Sequence, residues 1–188
     1  MTSTNYKIGK KLIKKAVGCV NIKIDQITKN LYVSNLPSAM DHESLKQNDI
    51  DVVLTITNIN PQNIPGVSQT YKKLNINHYC FDIADKPKAQ INDLFEYTNL
   101  LIDHHVKHNE NILVHCTCGI SRSVTIILAY LTKKSYDNHN PMLKHPNYYK
   151  WKTLLSNMKN IRSIVQPNIG FMNQLQNYEK KLKKNYFK

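Results

Sequence analysis

Apolar residues fall into two rhythms along this chain. Short runs such as Asn111-Ile112-Leu113-Val114 read as strands, and longer stretches such as Ser123 to Leu131 read as helices. The pattern predicts strands near 22–24, 31–33, 52–56, 78–83 and 111–115. It predicts helices near 38–47, 91–107, 123–133, 148–160 and 170–186. Strands alternating with helices imply an α/β fold. The expected architecture is a central, mainly parallel twisted sheet of about five strands, with helices on both faces. No repeat, long linker or internal domain boundary interrupts the pattern.

Two stretches stand apart. Residues 1–20 form a basic N-terminal segment in which Lys7, Lys10, Lys11, Lys14 and Lys15 alternate with apolar residues. Ile8, Leu12, Ala16 and Val17 would share one face of a short amphipathic helix. Residues 21–188 read as a single domain, irregular near 135–152. Ser135 to Pro141 reads as loop, and Pro146 permits a new helix start at Asn147 or Tyr148. Tyr148, Tyr149 and Trp151 are expected to pack this stretch onto the domain, with a partner surface as the alternative.

Composition narrows the class. A chain of 188 residues, 41% of them hydrophobic, suits one globular domain with a sizeable core. No apolar run is long enough to span a bilayer, and no secretory signal is expected at the N-terminus. Thr2 excludes N-myristoylation. The four cysteines, Cys19, Cys80, Cys116 and Cys118, lack disulfide-framework spacing, which predicts a reducing, intracellular compartment. A formal net charge of +13 predicts attraction to polyanions or acidic substrates. Lys180, Lys181, Lys183, Lys184 and Lys188 add a second basic end.

The chemistry concentrates in His115-Cys116-Thr117-Cys118-Gly119-Ile120-Ser121-Arg122-Ser123, between a predicted strand and a predicted helix. A strand, a tight loop and a helix N-terminus together present unpaired N–H groups and the positive end of a helix dipole to an anion. The arc Thr117, Cys118, Gly119, Ile120 and Ser121 can turn its N–H groups inward as a phosphate nest, with Gly119 allowing the turn. Cys116 at its base would be favoured as thiolate, an in-line nucleophile that forms a phosphocysteine. Arg122 would hold two phosphate oxygens at once and stabilise transition-state charge. Among the 26 Lys and Arg residues only Arg122 and Arg162 are arginine, which singles out this position as one where the planar fork matters.

This stretch resembles the signature loop of the cysteine-based protein phosphatases, H-C-x-x-G-x-x-R-S, and more narrowly their dual-specificity branch. Ile27 to Asn35 is similar to the opening strand of that family, Ile50 to Ile56 to its second core strand, and Pro167 to Leu175 to the start of its closing helix. The resemblance covers roughly residues 25–182. It implies a protein tyrosine phosphatase-like fold and hydrolysis of phosphotyrosine and phosphoserine or phosphothreonine, with no metal and no cofactor.

Expulsion of the leaving oxygen calls for a carboxylic acid. The family carries an Asp on an upstream loop, and Asp82 and Asp85 both lie in that place. The register of Ile91 and Phe95 against the family pattern selects Asp85, with Asp82 where the family usually has Pro. The resemblance also implies that His115 orients the cysteine, that Ser123 assists departure of the thiolate, and that Asn168 braces the loop. Cys118 is expected to pack rather than to act in redox chemistry. His104, His105 and His108 have helical spacing but no paired carboxylate or Cys, so they read as helix-surface residues. The span after Leu131 is about a dozen residues longer than the family pattern, which marks 135–152 as an insertion.

The partners implied are phosphorylated proteins. The +13 charge keeps RNA, as substrate of a 5′-phosphatase relative, as a second reading. A non-catalytic phosphoprotein-binding module is a third. Viral relatives pair through an N-terminal helix, so a homodimer is an expectation for residues 1–20. Heavy Lys and Asn usage is what an AT-rich coding sequence produces, as in a large DNA virus or an AT-rich microbe. The expected location is therefore the cytoplasm, or the host cytoplasm or virion if the source is viral.

Overall fold

The computed structural model describes residues 23–58, 67–137 and 150–186. Its five strands are β1 (Ile24–Thr28), β2 (Leu31–Ser34), β3 (Val52–Ile56), β4 (Asn77–Phe81) and β5 (Ile112–His115). They form one sheet in the order β1-β2-β5-β3-β4. β1 runs antiparallel to β2, and the other pairs are parallel. β2, β3 and β5 are buried at every position, as continuous apolar strands covered on both faces must be. β4 is an edge strand and is partly exposed along its length.

The helices are α1 (Leu36–Ala39), α2 (His42–Gln47), α3 (Val67–Lys73), α4 (Phe95–Lys107), α5 (Arg122–Asp137), α6 (Trp151–Ile161) and α7 (Ile169–Tyr186). α1 to α3 cover one face, where Leu36, Leu45 and Tyr71 pack on Val53 and Leu113. On the other face Phe95, Ile102, Ile126 and Phe171 pack with Leu54, Ile56 and Val114. α5 is buried continuously from Arg122 to Tyr130. It is therefore the central helix, and its first turn lies directly beyond the end of β5.

Several expectations are corrected. The helix expected at 38–47 is split, because the Asp41 carboxylate accepts from Ser44 N–H and Oγ and starts α2 as a new helix. α3 was not expected from the pattern, since its inward contacts are limited to Val67, Thr70 and Tyr71 over seven residues. The first strand lies at Ile24–Thr28 rather than at 22–24. Ser135, Tyr136 and Asp137, expected as loop, are the last turn of α5. Tyr136 is buried there, Lys133 pairs with Asp137, and the Tyr186 hydroxyl reaches Asp137. His105 is not a surface residue: it is 4% exposed, pairs with Glu110 and packs on the Tyr79 ring. Trp151 is buried at the start of α6. The amphipathic stretch at 1–20 and the dimer expected from it lie outside the described residues, as do Tyr148 and Tyr149. No helix among the described residues is long and apolar enough to cross a membrane.

Candidate active site

The loop from Cys116 to Ser121 leaves the C-terminal end of β5 and turns straight into α5. Its carbonyls are all held from outside. The Cys116 carbonyl accepts from His115 Nδ1 at 3.3 Å and that of Thr117 from Leu36 N–H at 3.1 Å. Arg162 donates Nη2 to the Cys118 carbonyl at 3.3 Å and Nε to that of Gly119 at 3.0 Å. Gln166 N–H holds the Ile120 carbonyl at 2.8 Å, and Thr125 N–H that of Ser121 at 2.9 Å. With these carbonyls held away from the loop centre, the Gly119, Ile120 and Ser123 N–H groups are directed at Cys116 Sγ, an arrangement able to receive an anion.

Gly119 has φ +67, and a Cβ there would come within 2.4 Å of the Ser34 carbonyl oxygen. Both the turn and the close approach to β2 exclude a side chain.

Cys116 sits at the base of the nest, 1% exposed. Gly119 N–H donates to its Sγ at 3.2 Å and Ser123 Oγ donates at 3.3 Å. Burial pushes the thiol up. The Arg122 guanidinium, the Ser123 hydroxyl and the Ser123 and Ile120 N–H groups outweigh it, so the thiol lies below its ordinary value of 9.0. Burial drives His115 down to about 3, so its ring is neutral.

Arg122 is also buried. Its Nη1 donates to Asn58 Oδ1 at 3.2 Å and to the Ile83 carbonyl at 3.1 Å, and its Nη2 to Thr117 Oγ1 at 2.8 Å. Its buried Nε has no hydrogen-bond partner among the described residues and faces Asp85 Oδ2 at 3.5 Å. A phosphate oxygen is the acceptor this donor suits.

Asp85 is brought in by tertiary contacts. Its Oδ1 accepts from Ser121 Oγ and from Asn168 Nδ2, each at 2.8 Å. Asn168 also caps α7, its Oδ1 accepting from Phe171 N–H at 3.0 Å. One side chain thus starts α7 and holds the Asp85 loop. Gly170 makes the approach possible, since a Cβ there would come within 1.9 Å of the Pro87 carbonyl oxygen. Asp82 is not among these contacts; its charge acts on Cys80, at the exposed edge strand.

The structure therefore brings together Cys116, Arg122, Asp85, Ser123, His115, Asn168 and the arc Thr117 to Ser121. Cys118 enters through its carbonyl, held by Arg162. Sequence reasoning missed the outer supports. Arg162 ties the loop to Asp25 on β1, Nη1 to Oδ2 at 2.7 Å, and both side chains are buried. The available signal was that Arg162 is the only other arginine in a lysine-rich chain. Thr57, whose hydroxyl lies 3.2 Å from Thr117 Oγ1, Thr55 and His78, which adjoin His115 through hydrogen bonds, and Asn58 carried no local signal.

A mostly parallel sheet with a cysteine and arginine nest at the end of its central strand defines the class as a cysteine-based phosphatase. The family model for the dual specificity phosphatase catalytic domain matches residues 31–181, and the chain belongs to that family. It is 34% identical over 155 residues to the tyrosine-protein phosphatase yvh1 of Schizosaccharomyces pombe, covering 82% of this chain and 41% of that protein. It is 29% identical over 157 residues to dual specificity protein phosphatase 22 of Mus musculus, covering 84% of this chain and 74% of that protein. Among solved structures, the human tyrosine phosphatase-like serine/threonine/tyrosine-interacting protein superposes with a TM-score of 0.70 at 25% identity, covering 86% of this chain and 98% of that one. The Yvh1 phosphatase domain from Chaetomium thermophilum shares the fold, with a TM-score of 0.68 at 24% identity over 85% of this chain and 96% of that one.

Proposed function

We propose that this chain removes phosphate from phosphotyrosine and phosphoserine or phosphothreonine in proteins, through a phosphocysteine intermediate. The observation that carries this reading is Cys116 Sγ accepting from Gly119 N–H and the Ser123 hydroxyl, beside Arg122, whose buried Nε makes no hydrogen bond among the described residues and pairs only with Asp85.

Bound phosphate takes the nest N–H groups and Arg122 Nε, which releases Asp85 to face the leaving oxygen. Cys116 thiolate attacks phosphorus, the P–O bond to the side chain breaks, and protonated Asp85 gives its proton to that oxygen. Water then attacks the phosphocysteine, Asp85 carboxylate takes a proton from it, and the S–P bond breaks. The Ser123 hydroxyl stabilises the departing thiolate. The products are inorganic phosphate and the free enzyme.

A working thiolate suits a reducing, intracellular setting. Intact Cys116, Arg122 and Asp85 weigh against a purely binding role. The +13 charge makes RNA the informative competitor.

The test measures phosphate release from a doubly phosphorylated Thr/Tyr peptide and from a 5′-triphosphate RNA, with Cys116→Ser as blank. Cys116-dependent release mainly from the peptide is expected. Release mainly from the RNA overturns the protein-phosphatase reading.

A further inference from the structure

His115 on β5 and Thr55 on β3 are register partners, and His78 lies on the next strand, β4. Their side chains form a continuous chain across three strands. Thr55 Oγ1 lies 2.7 Å from His115 Nε2 and 2.8 Å from His78 Nε2.

The proton positions follow from the partners. The Cys116 carbonyl can only accept, so His115 Nδ1 carries the proton it shares there. His115 is neutral, so its Nε2 is a bare acceptor. Thr55 has one hydroxyl proton, and it must go to His115 Nε2. Thr55 Oγ1 can then only accept on its other side, so His78 Nε2 must carry a proton. The chain runs one way, from His78 through Thr55 and His115 to the Cys116 carbonyl.

The far end is anchored too. The His78 and Tyr71 rings make a T-shaped contact with centroids 4.9 Å apart, and the Tyr71 hydroxyl donates to the Ala39 carbonyl at 2.8 Å. His78 is thereby held from the α1 to α3 face of the sheet, where Tyr71 packs with Leu36 and Val53.

We propose that His78 is a positioning residue for the Cys116 nucleophile, acting through Thr55 and His115 to hold the Cys116 peptide in its thiolate-stabilising orientation. With His78 donating, the Thr55 proton has one place to go. Without it the hydroxyl can rotate, His115 Nε2 loses its donor for part of the time, and the Cys116 carbonyl is held less firmly. Consistent orientation of the nest N–H groups towards Sγ then suffers. This rests on Cys116 being the nucleophile of the proposed hydrolysis.

Two readings test it. The first is the pH midpoint of Cys116 alkylation by iodoacetamide, which needs no substrate and so fails separately from the proposed function. His78→Phe should raise that midpoint and lower kcat about threefold to tenfold, and His78→Gln, which keeps a donor, should restore both. Thr55→Val should show a larger change of the same kind, and adding His78→Phe to it should change nothing further. An unshifted midpoint in folded His78→Phe, no rescue by Gln, or effects that multiply in the double variant would each overturn the proposal. The second reading uses the unaltered protein: nitrogen-15 spectra should show His78 protonated at Nε2 and His115 at Nδ1. A His78 ring protonated only at Nδ1 overturns it.

Discussion

Cys116 is under opposed influences. Burial alone would make it an inert thiol, and Arg122 with the hydrogen bonds from Ser123 and Ile120 reverses the sign. The alkylation rate should therefore reach half its maximum at a pH below the ordinary thiol value of 9.0. Arg122→Met should move that midpoint upward, and an unmoved midpoint would contradict the assignment. Asp85 is poised differently, held by Ser121 and Asn168 against Arg122 Nε. Asp85→Asn should slow turnover about a hundredfold or more for substrates with poor leaving groups and far less for good ones. Equal slowing across a leaving-group series would remove Asp85 as the acid. His115 enters as a neutral ring, its depressed value being the mark of burial. Because the unfolded ring titrates near its ordinary 6.5, stability from this residue is full above that pH and is lost as pH falls toward about 3.

At the scale of elements, the nest is held by what surrounds it rather than by its own turn. Arg162 at the end of α6 spans two loop carbonyls and Asp25 on β1 with one planar fork. A lysine keeps the charge but cannot reach three acceptors in that geometry. Arg162→Lys should fold and should lose about tenfold to a hundredfold in kcat, as misplacement of a reacting group does. Thermal melting paired with steady-state kinetics checks this; a fully active Arg162→Lys would show the fork is not needed. The start of α7 performs a parallel task, with Asn168 capping the helix and holding Asp85 while Gly170 admits the Pro87 backbone.

Over the whole molecule, 26 basic against 13 acidic residues give a positive field that reaches beyond any single pair. The kcat/KM for an acidic phosphopeptide should fall as salt rises from about 0.05 to 0.3 M, since the Debye length shrinks from over 10 Å to under 6 Å. A neutral phosphopeptide should fall less, and parallel curves for the two peptides would show that the charge does not steer substrate.

The Cys116 loop, with the nucleophile and arginine proposed for it, was legible in the sequence because its residues are contiguous. A nine-residue stretch between an apolar strand and an apolar helix contains the turn, the thiol and the anion clamp in local order. The mainly parallel sheet was legible too, since buried central strands read as unbroken apolar runs. Asp85 needed the family register, because a loop carboxylate has no local pattern to mark it. The supports were hidden for the same reason in stronger form. Asp25 and Arg162 lie 137 positions apart, and only the pairing of β1 with β2 and the packing of α6 on β1 bring them together. Thr55 and His78 read as ordinary strand residues until β5, β3 and β4 align them. Local order sets which groups can react; the sheet decides which groups hold them, because hydrogen-bonding partners across strands are chosen by register and not by distance along the chain.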